Sequence, residues 1–416
     1  MSLTPEQVQI IKSTVPILVE HGTTITTRFY QNMINAHPEL KNVFNNAHQI
    51  SGDQPRALAH ALFAYASNID NLGALGPTVE LICNKHASFY IRPEQYDIVG
   101  TYLLAEMKNF LGDAFTPAIH DAWAAAYWQL AKLMINREAQ LHKSADGWTD
   151  WRPFRIQRKV RESDEITSFY LVPVDGGKLP KFLPGQYISV HVEVPDLKAL
   201  QARQYSLSDA PGKDYYRISV KRESGVDVTN PASAAHPGYV SNILHENKQE
   251  GDVIDISHPY GDFYFDPAAG PADAPVVLIS AGVGLTSLIS ILSTLTEQHT
   301  LRPISWIHAA RTQKVRAFVD HISDIVREHS NVHTVFYTVK PAPEDVHGVH
   351  YHHVGDMDLG KLDREKDLFV SDKRTQYFVC GPVSFMVDME RVLKGYGIEE
   401  GRVHVELYGT GGVPKA

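Results

Sequence analysis

The 416 residues predict a multidomain chain of three parts: an all-α domain, then a small antiparallel β-barrel, then an α/β domain with a parallel sheet. Three observations predict this. Up to about residue 142 the apolar residues recur at helical spacing with no strand alternation. From residue 152 the period changes to two, as in Ile188, Val190, Val192 and Val194, or Tyr216, Ile218 and Val220. After residue 270, a short apolar run from Pro275 to Ser280 leads into Ala281-Gly282-Val283-Gly284-Leu285-Thr286, and strand and helix patterns then alternate.

In the first part, Thr4-Pro5-Glu6-Gln7 is a helix start, with a threonine cap, proline at the first helical position and glutamine three residues on. Breaks follow near Gly22, Pro38, Gly52, Gly73 to Pro77 and Gly112. Val79, Ile82, Cys83, His86 and Tyr90 recur at spacings of three and four, which places the His86 imidazole on an apolar helix face. A lone histidine there is more often a hydrogen-bonded core residue than a ligand. Two further helices carry Tyr96 and Glu138 on their own apolar stripes. A buried carboxylate needs a partner, so His86, Tyr96 and Glu138 can form one network.

Asp146 to Pro153 reads as a linker, and Asp175-Gly176-Gly177 as a turn between barrel strands. In the last part Val315 to Glu328 reads as a helix and the chain closes on a strand through Val405 to Thr410. Gly-x-Gly after a strand suits a dinucleotide, although Ser287 stands where the third glycine of the fingerprint would be.

The net charge of −9 with no basic block argues against nucleic acid or an anionic membrane as the partner. No apolar run approaches a membrane span and no signal peptide is legible, so integral membrane association is not expected and a cytoplasmic location is. Cys83 and Cys380 are too far apart in sequence for a redox or zinc motif. Most of the 21 histidines fall in polar stretches; those from His347 to His353 read as a solvated loop, and His48 and His60 as surface or packing residues.

Arg28-Phe29-Tyr30, His37-Pro38-Glu39-Leu40 with Phe44, Gln54 with Leu58, and Asn84-Lys85-His86-Ala87 together resemble a bacterial globin of the flavohaemoglobin type. The resemblance implies that His86 is the proximal ligand of haem b and that Phe44 packs on the haem face. Tyr30, Gln54 and Leu58 would line the distal side, and Lys85 would lie between haem and flavin. A phenol donor such as Tyr30 suits a partly anionic diatomic ligand, with Gln54 as a second polar group and Leu58 keeping the pocket dry. Tyr96 and Glu138 would make the imidazole more anionic, which favours oxygen activation over storage.

Pro184-Gly185-Gln186-Tyr187 and Arg203-Gln204-Tyr205-Ser206 resemble the flavin signature of ferredoxin–NADP reductase-like barrels. By that resemblance Arg203 faces the FAD pyrophosphate, Tyr205 packs on the isoalloxazine and Ser206 reaches its reactive edge, with Tyr187 and Gln204 beside them. Gly238-Tyr239-Val240-Ser241-Asn242 opens a short helix whose first amides could hold phosphate. The run from Gly282 through Val283, Gly284, Leu285 and Thr286 to Ser287, and the turn Cys380-Gly381-Pro382, would hold NAD(P)H. At the end of the chain Glu406 would lie near the flavin–haem junction and Tyr408 would stack on the flavin. Leu407, Gly409 and Thr410 flank them, and Leu407 and Thr410 depart from the family.

The implied domains are a globin over 1–142, a linker over 143–152, an FAD barrel over 153–266 and an NAD(P) domain over 267–416. The implied activity is that of a monomeric nitric oxide dioxygenase acting on O2 and NO. An NAD(P)H-dependent haem reductase of peroxides and a haem-based oxygen or redox sensor are the other classes compatible with the sequence.

Overall fold

The computed structural model describes residues 3–225 and 238–409. Seven α-helices come first: α1 (Pro5–Ser13), α2 (Val15–Ala36), α3 (Asn46–Ser51), α4 (Asp53–Ser67), α5 (Gly76–Ser88), α6 (Pro93–Leu111) and α7 (Pro117–Lys143). Their starts are written in local chemistry. Thr4 and Gln7 form a reciprocal capping box, with Gln7 N–H donating to Thr4 Oγ1 at 3.2 Å and Thr4 N–H to Gln7 Oε1 at 2.9 Å. Thr116 caps α7 through Ile119 N–H. Between α3 and α4 the chain turns at Gly52, whose φ of 77° suits a residue without Cβ. The core gathers Ile11, Ile25, Phe29 and Met33 from α1 and α2 against Leu103 and Met107 of α6 and Trp123 of α7. Each such side chain adds roughly 1.5–3 kcal/mol by leaving water, so packing rather than intrinsic propensity holds the helices.

The chain divides into two compact units, Met1–Trp151 with His191–Arg203 and Arg152–Val190 with Gln204–Ala416. Residues 191–203 join the helical unit because their polar groups bond its turn: Leu200 N–H donates to Asn42 Oδ1 at 2.8 Å and the Gln201 amide to Lys41 O at 2.7 Å.

Six antiparallel strands follow the helices: β1 (Arg152–Arg161), β2 (Ile166–Pro173), β3 (Tyr187–Val194), β4 (Ala199–Ser206), β5 (Tyr216–Lys221) and, after the one-turn helix α8 (Tyr239–Asn242), β6 (Val253–Ile256). The order is β4-β3-β6-β1-β2-β5. A bridge from Leu207, the residue after β4, to Ile218 of β5 joins the two sheet edges and closes the barrel. The alternation expected for β5 is only half the truth, since all of residues 216–220 are buried. Ser219 is tolerated inside because its hydroxyl bonds those of Ser168 at 2.7 Å and Ser208 at 2.8 Å.

The final layer is a parallel sheet of β7 (Val276–Ala281), β8 (Ile304–Ala310), β9 (Val332–Thr338), β10 (His353–Val354), β11 (Gln376–Cys380) and β12 (Val403–Glu406). Helices α9 (Leu285–Glu297), α10 (Val319–Glu328) and α11 (Val383–Gly395) alternate with them. The order β10-β9-β8-β7-β11-β12 reverses between β7 and β11, and such a switch point is where open α/β sheets bind ligands. Two element bounds differ from the sequence reading. Helix α10 begins only at Val319, because Phe318 sits at φ 60° and cannot continue a right-handed helix from Val315. Strand β12 ends at Glu406, so Leu407, Tyr408 and Gly409 lie beyond it; Thr410 and the segment 226–237 fall outside the described residues.

Candidate cofactor sites

Helix α5 starts on Gly76-Pro77 and carries His86 in its last turn. Its end is fixed by Phe89 N–H donating to Lys85 O and by Ile91 N–H donating to His86 O at 3.1 Å, with Tyr90 between them at φ 54°. Among the described residues the His86 imidazole is held from one side. Its Nδ1 lies 2.9 Å from both Glu138 Oε1 and the Tyr96 hydroxyl, and Tyr96 donates to the same Glu138 oxygen at 2.6 Å. Glu138 and Tyr96 are buried, at 4% and 8% exposure. Burial first, and then the Glu138 charge, hold the Tyr96 phenol well above its ordinary pKa, so it stays a donor. Arg137, the neighbour of Glu138, is committed to Glu80 through Nε at 2.7 Å and Nη2 at 2.6 Å. The carboxylate therefore turns to His86 and Tyr96, and Nδ1–H must be a donor. Nε2 is then the ring nitrogen left with a lone pair for a metal.

Tyr96 is itself anchored. Tyr127 donates to Tyr96 O at 2.6 Å, and the Tyr127 ring lies where a Cβ on Gly100 would stand, 2.4 Å away. Helices α6 and α7 can approach this closely only because residue 100 has no side chain.

A second cluster forms on α2 and α4. Tyr30 is buried, with its ring 4.8 Å from Phe29 and edge-on to Phe44 at 5.3 Å. Burial drives its phenol pKa up, and a hydrogen bond from the Gln54 side chain pulls weakly the other way. Gln54 Oε1 is buried and has no partner among the described residues. Leu58, one turn on, joins Phe44 and Tyr30 in the same apolar cluster. His48 is half-buried, as a packing residue is: burial, chiefly, and the nearby Arg203 push its pKa down, with Lys85 adding to this, and among the described residues its Nδ1 has no partner.

The donor set suits haem. Among the described residues no group of three or more His, Cys, Asp and Glu side chains can hold a metal, whereas one oriented histidine is what an iron with porphyrin equatorial donors asks of a protein. The orphaned Gln54 oxygen and the protonated Tyr30 hydroxyl supply polar groups for a small distal ligand.

The flavin candidates are disposed unevenly. Arg203 donates to Asn45 Oδ1 at 2.6 Å and to Ala202 O at 2.7 Å. In the other unit, Tyr187 is buried at 3% exposure, and Gln204 and Tyr205 are half-buried. Gly185 takes φ 110°, and a Cβ there would meet Phe263 O at 2.8 Å. Ser206 donates to the Tyr408 hydroxyl at 2.9 Å, which also bonds Thr286 Oγ1 at 3.0 Å. The Tyr408 side chain is nonetheless 42% exposed, so its hydroxyl is pinned while ring surface is left for stacking. Helix α8 is a single turn; Gly238 N–H already bonds Glu223 O at 3.0 Å, and Ser241 Oγ accepts Glu223 N–H at 3.3 Å beside the buried Val240.

At the end of β7, Gly282 adopts φ 56°, and a Cβ on Gly284 would sit 2.2 Å from Cys380 O. The Gly282–Gly284 loop and the Cys380-Gly381-Pro382 turn thus touch backbone to backbone. Leu285 and Thr286 open α9, with Val283 packed on the core. Ser287 replaces the third glycine without strain, its buried hydroxyl turning back to Gly284 O at 3.4 Å. Burial, with Glu406 adding its charge, pushes the Cys380 thiol up to about 12, so it serves as a packed thiol rather than a nucleophile; its Sγ bonds Glu406 O at 3.3 Å. The structure adds a buried pair that sequence reading missed, Ser280 Oγ with His308 Nδ1 at 2.9 Å, where burial takes the His308 pKa down to about 3. Gly284→Ala is expected to cost about 1–3 kcal/mol through overpacking, because its neighbour is backbone and cannot swing away. A thermal melt of the full chain measures this, and an unshifted midpoint would mean the loop has slack.

Comparison with known proteins matches three family models: a globin over residues 27–134, an oxidoreductase FAD-binding domain over 153–265 and an oxidoreductase NAD-binding domain over 278–391. A flavohemoprotein of Bordetella parapertussis is 46% identical over 416 residues, covering 99% of this chain and 100% of the relative. One of Bacillus subtilis is 44% identical over 406 residues, covering 97% and 96%. Among solved structures, a flavohemoglobin from Malassezia yamatoensis with bound FAD and heme superposes with a TM-score of 0.84 at 27% identity, over 98% of this chain and 100% of that one. The FAD/NAD-binding domain of a nitric oxide dioxygenase from Vibrio cholerae matches 62% of this chain and 99% of its own at 33% identity, with a TM-score of 0.54.

Proposed function

Because the chain belongs to the flavohaemoprotein family, we propose that this NAD(P)H-dependent oxidoreductase is a nitric oxide dioxygenase, consuming NO with O2 to give nitrate. Bound haem b would supply the oxygen chemistry, and FAD the conversion of a hydride into single electrons. The observation that carries the reading is the His86 arrangement. Glu138 and Tyr96 hold Nδ1, fix the ring and add electron density at Nε2, as activation requires and storage does not. Tyr30 would donate to a small diatomic ligand, with Gln54 as a second polar group, and Leu58 with Phe44 would keep the pocket dry. Lys85 in the haem unit and Glu406 in the reductase unit would each assist the transfer of single electrons.

By the same reading Arg203 would neutralise a flavin phosphate, Tyr187, Gln204, Tyr205 and Ser206 would seat the flavin, and Gly238, Val240 and Ser241 would serve its phosphate end. The Gly282–Ser287 run and the Cys380–Pro382 turn receive NAD(P)H, with Tyr408 and its neighbours Leu407 and Gly409 against the flavin. The domain limits 1–142, 153–266 and 267–416 belong to this reading and are supported by the family matches. No helix among the described residues is long and apolar enough to cross a membrane, and a cytoplasmic monomer suits freely diffusing NO.

The test is NO consumption by haem- and FAD-replete protein with NAD(P)H, in air and under nitrogen. Rapid loss in air alone, with nitrate as product, is expected. If NO survives in air while the nicotinamide is still oxidised, the electrons go elsewhere and the dioxygenase reading fails.

A further inference from the structure

The sheet order places an unassigned group of cations where half of the dinucleotide must lie. The hydride end has to face the flavin. Tyr408, just past β12, bonds both Ser206 of the barrel and Thr286 at the start of α9, which sets the redox side of the switch point towards β11 and β12. The other half of the dinucleotide then runs the opposite way, over the carboxyl ends of β8 and β9, two strand spacings or roughly 10 Å across.

Those ends are bonded together: Val339 N–H donates to Ala310 O at 3.1 Å and Lys340 N–H to Arg311 O at 2.8 Å, which sets Arg311 and Lys340 side by side. Arg316, only 3% exposed, props the end of β9 from below: it donates to Thr338 Oγ1 at 2.7 Å, to Tyr337 O at 3.3 Å, to Gln313 Oε1 at 2.7 Å and to His350 O, and among the described residues only its Nε has no partner. Three carboxylates lie on the neighbouring segments: Glu344 is exposed on the loop four residues past Lys340, and the other two are engaged. Glu165 bonds Arg311. Asp345 faces Arg316 and accepts Ala342 N–H at 2.7 Å. Lys340 is exposed and enters none of the ion pairs among the described residues. A site that selects NADH sets a carboxylate against the adenosine ribose, and one that selects NADPH sets a cation there. Here both strand ends are followed by a cation.

We propose that Lys340, beside Arg311 and above the buried Arg316, recognises the 2′-phosphate of NADPH, making NADPH the preferred hydride donor. This rests on the reading that NAD(P)H binds across the β7–β11 switch point.

The test titrates holoprotein with two probes that carry no hydride, 2′,5′-ADP and 5′-AMP, by calorimetry, and compares kcat/KM for NADPH and NADH with ferricyanide as acceptor. Binding of 2′,5′-ADP should be at least about 10-fold tighter, as expected for a charge-assisted phosphate contact, and should weaken with salt. In Lys340→Asp the preference for 2′,5′-ADP and the NADPH:NADH ratio should both fall by about 10-fold or more. Equal affinity for the two probes, a wild-type preference for NADH, or an unchanged ratio in Lys340→Asp would each overturn the assignment. Tight 2′,5′-ADP binding in a protein that leaves NO untouched would uphold it while rejecting the dioxygenase.

Discussion

Replacing Glu138 by Gln is expected to lower NO turnover of the haem-loaded protein by about 10- to 100-fold, the usual effect of losing a partner that orients a metal ligand. It should also move the iron–histidine stretching band to lower frequency in resonance Raman spectra. The amide preserves volume, so the pocket between α6 and α7 stays filled. Its chemistry is wrong, however. One Glu138 oxygen now accepts from both the Tyr96 hydroxyl at 2.6 Å and His86 Nδ1 at 2.9 Å, and an amide brings an N–H and no charge to that place. The imidazole would lose its anionic neighbour and, with it, electron density at Nε2. Glu138→Asp, which keeps the charge on a shorter arm, should restore part of the band shift. A role confined to packing would lower the melting temperature and leave the band where it was, and that result would remove Glu138 from the mechanism. Tyr96→Phe should have a smaller effect, since the His86–Glu138 bond survives it.

Much of this arrangement is legible in the sequence because a polar group on an apolar helical stripe must be paired. His86, Tyr96 and Glu138 each break such a stripe, and the structure brings the three together. Caps are equally local, and Thr4 with Gln7 and Thr116 stand where their side-chain chemistry predicts. What escaped depends on partners far away in sequence. Residues 191–203 keep company with the helical unit through Asn42 and Lys41, which strand periodicity cannot reveal. Burial of Ser219 inside β5 needs Ser168 and Ser208, from other stretches of chain. Phe318 takes a left-handed conformation that its type disfavours, held by the core it packs into, so the late start of α10 has no local signal.

Tyr30→Phe is expected to speed O2 dissociation from the reduced holoprotein on the order of 100-fold, the scale set by removing one preorganised donor from a site shielded from water. Phenylalanine would fill the same space against Phe29 and Phe44, so the change tests the hydroxyl alone. Burial keeps that hydroxyl protonated far above neutrality, and the wild-type off-rate should therefore be flat from about pH 6 to pH 9. The variant carries a second cost. The Gln54 amide, whose Oε1 already has no partner, would lose its acceptor as well, and an unsatisfied buried polar group costs about 1–3 kcal/mol. Gln54 is thereby freed to turn towards the distal ligand, which should blunt the effect of Tyr30→Phe alone. The double variant Tyr30→Phe, Gln54→Leu should then release O2 faster than the product of the two single effects predicts. Flash photolysis or stopped-flow exchange against carbon monoxide measures all four proteins. Strict additivity would show that Gln54 does not stand in for Tyr30, and an unchanged off-rate in Tyr30→Phe would show that the ligand is held by some other group.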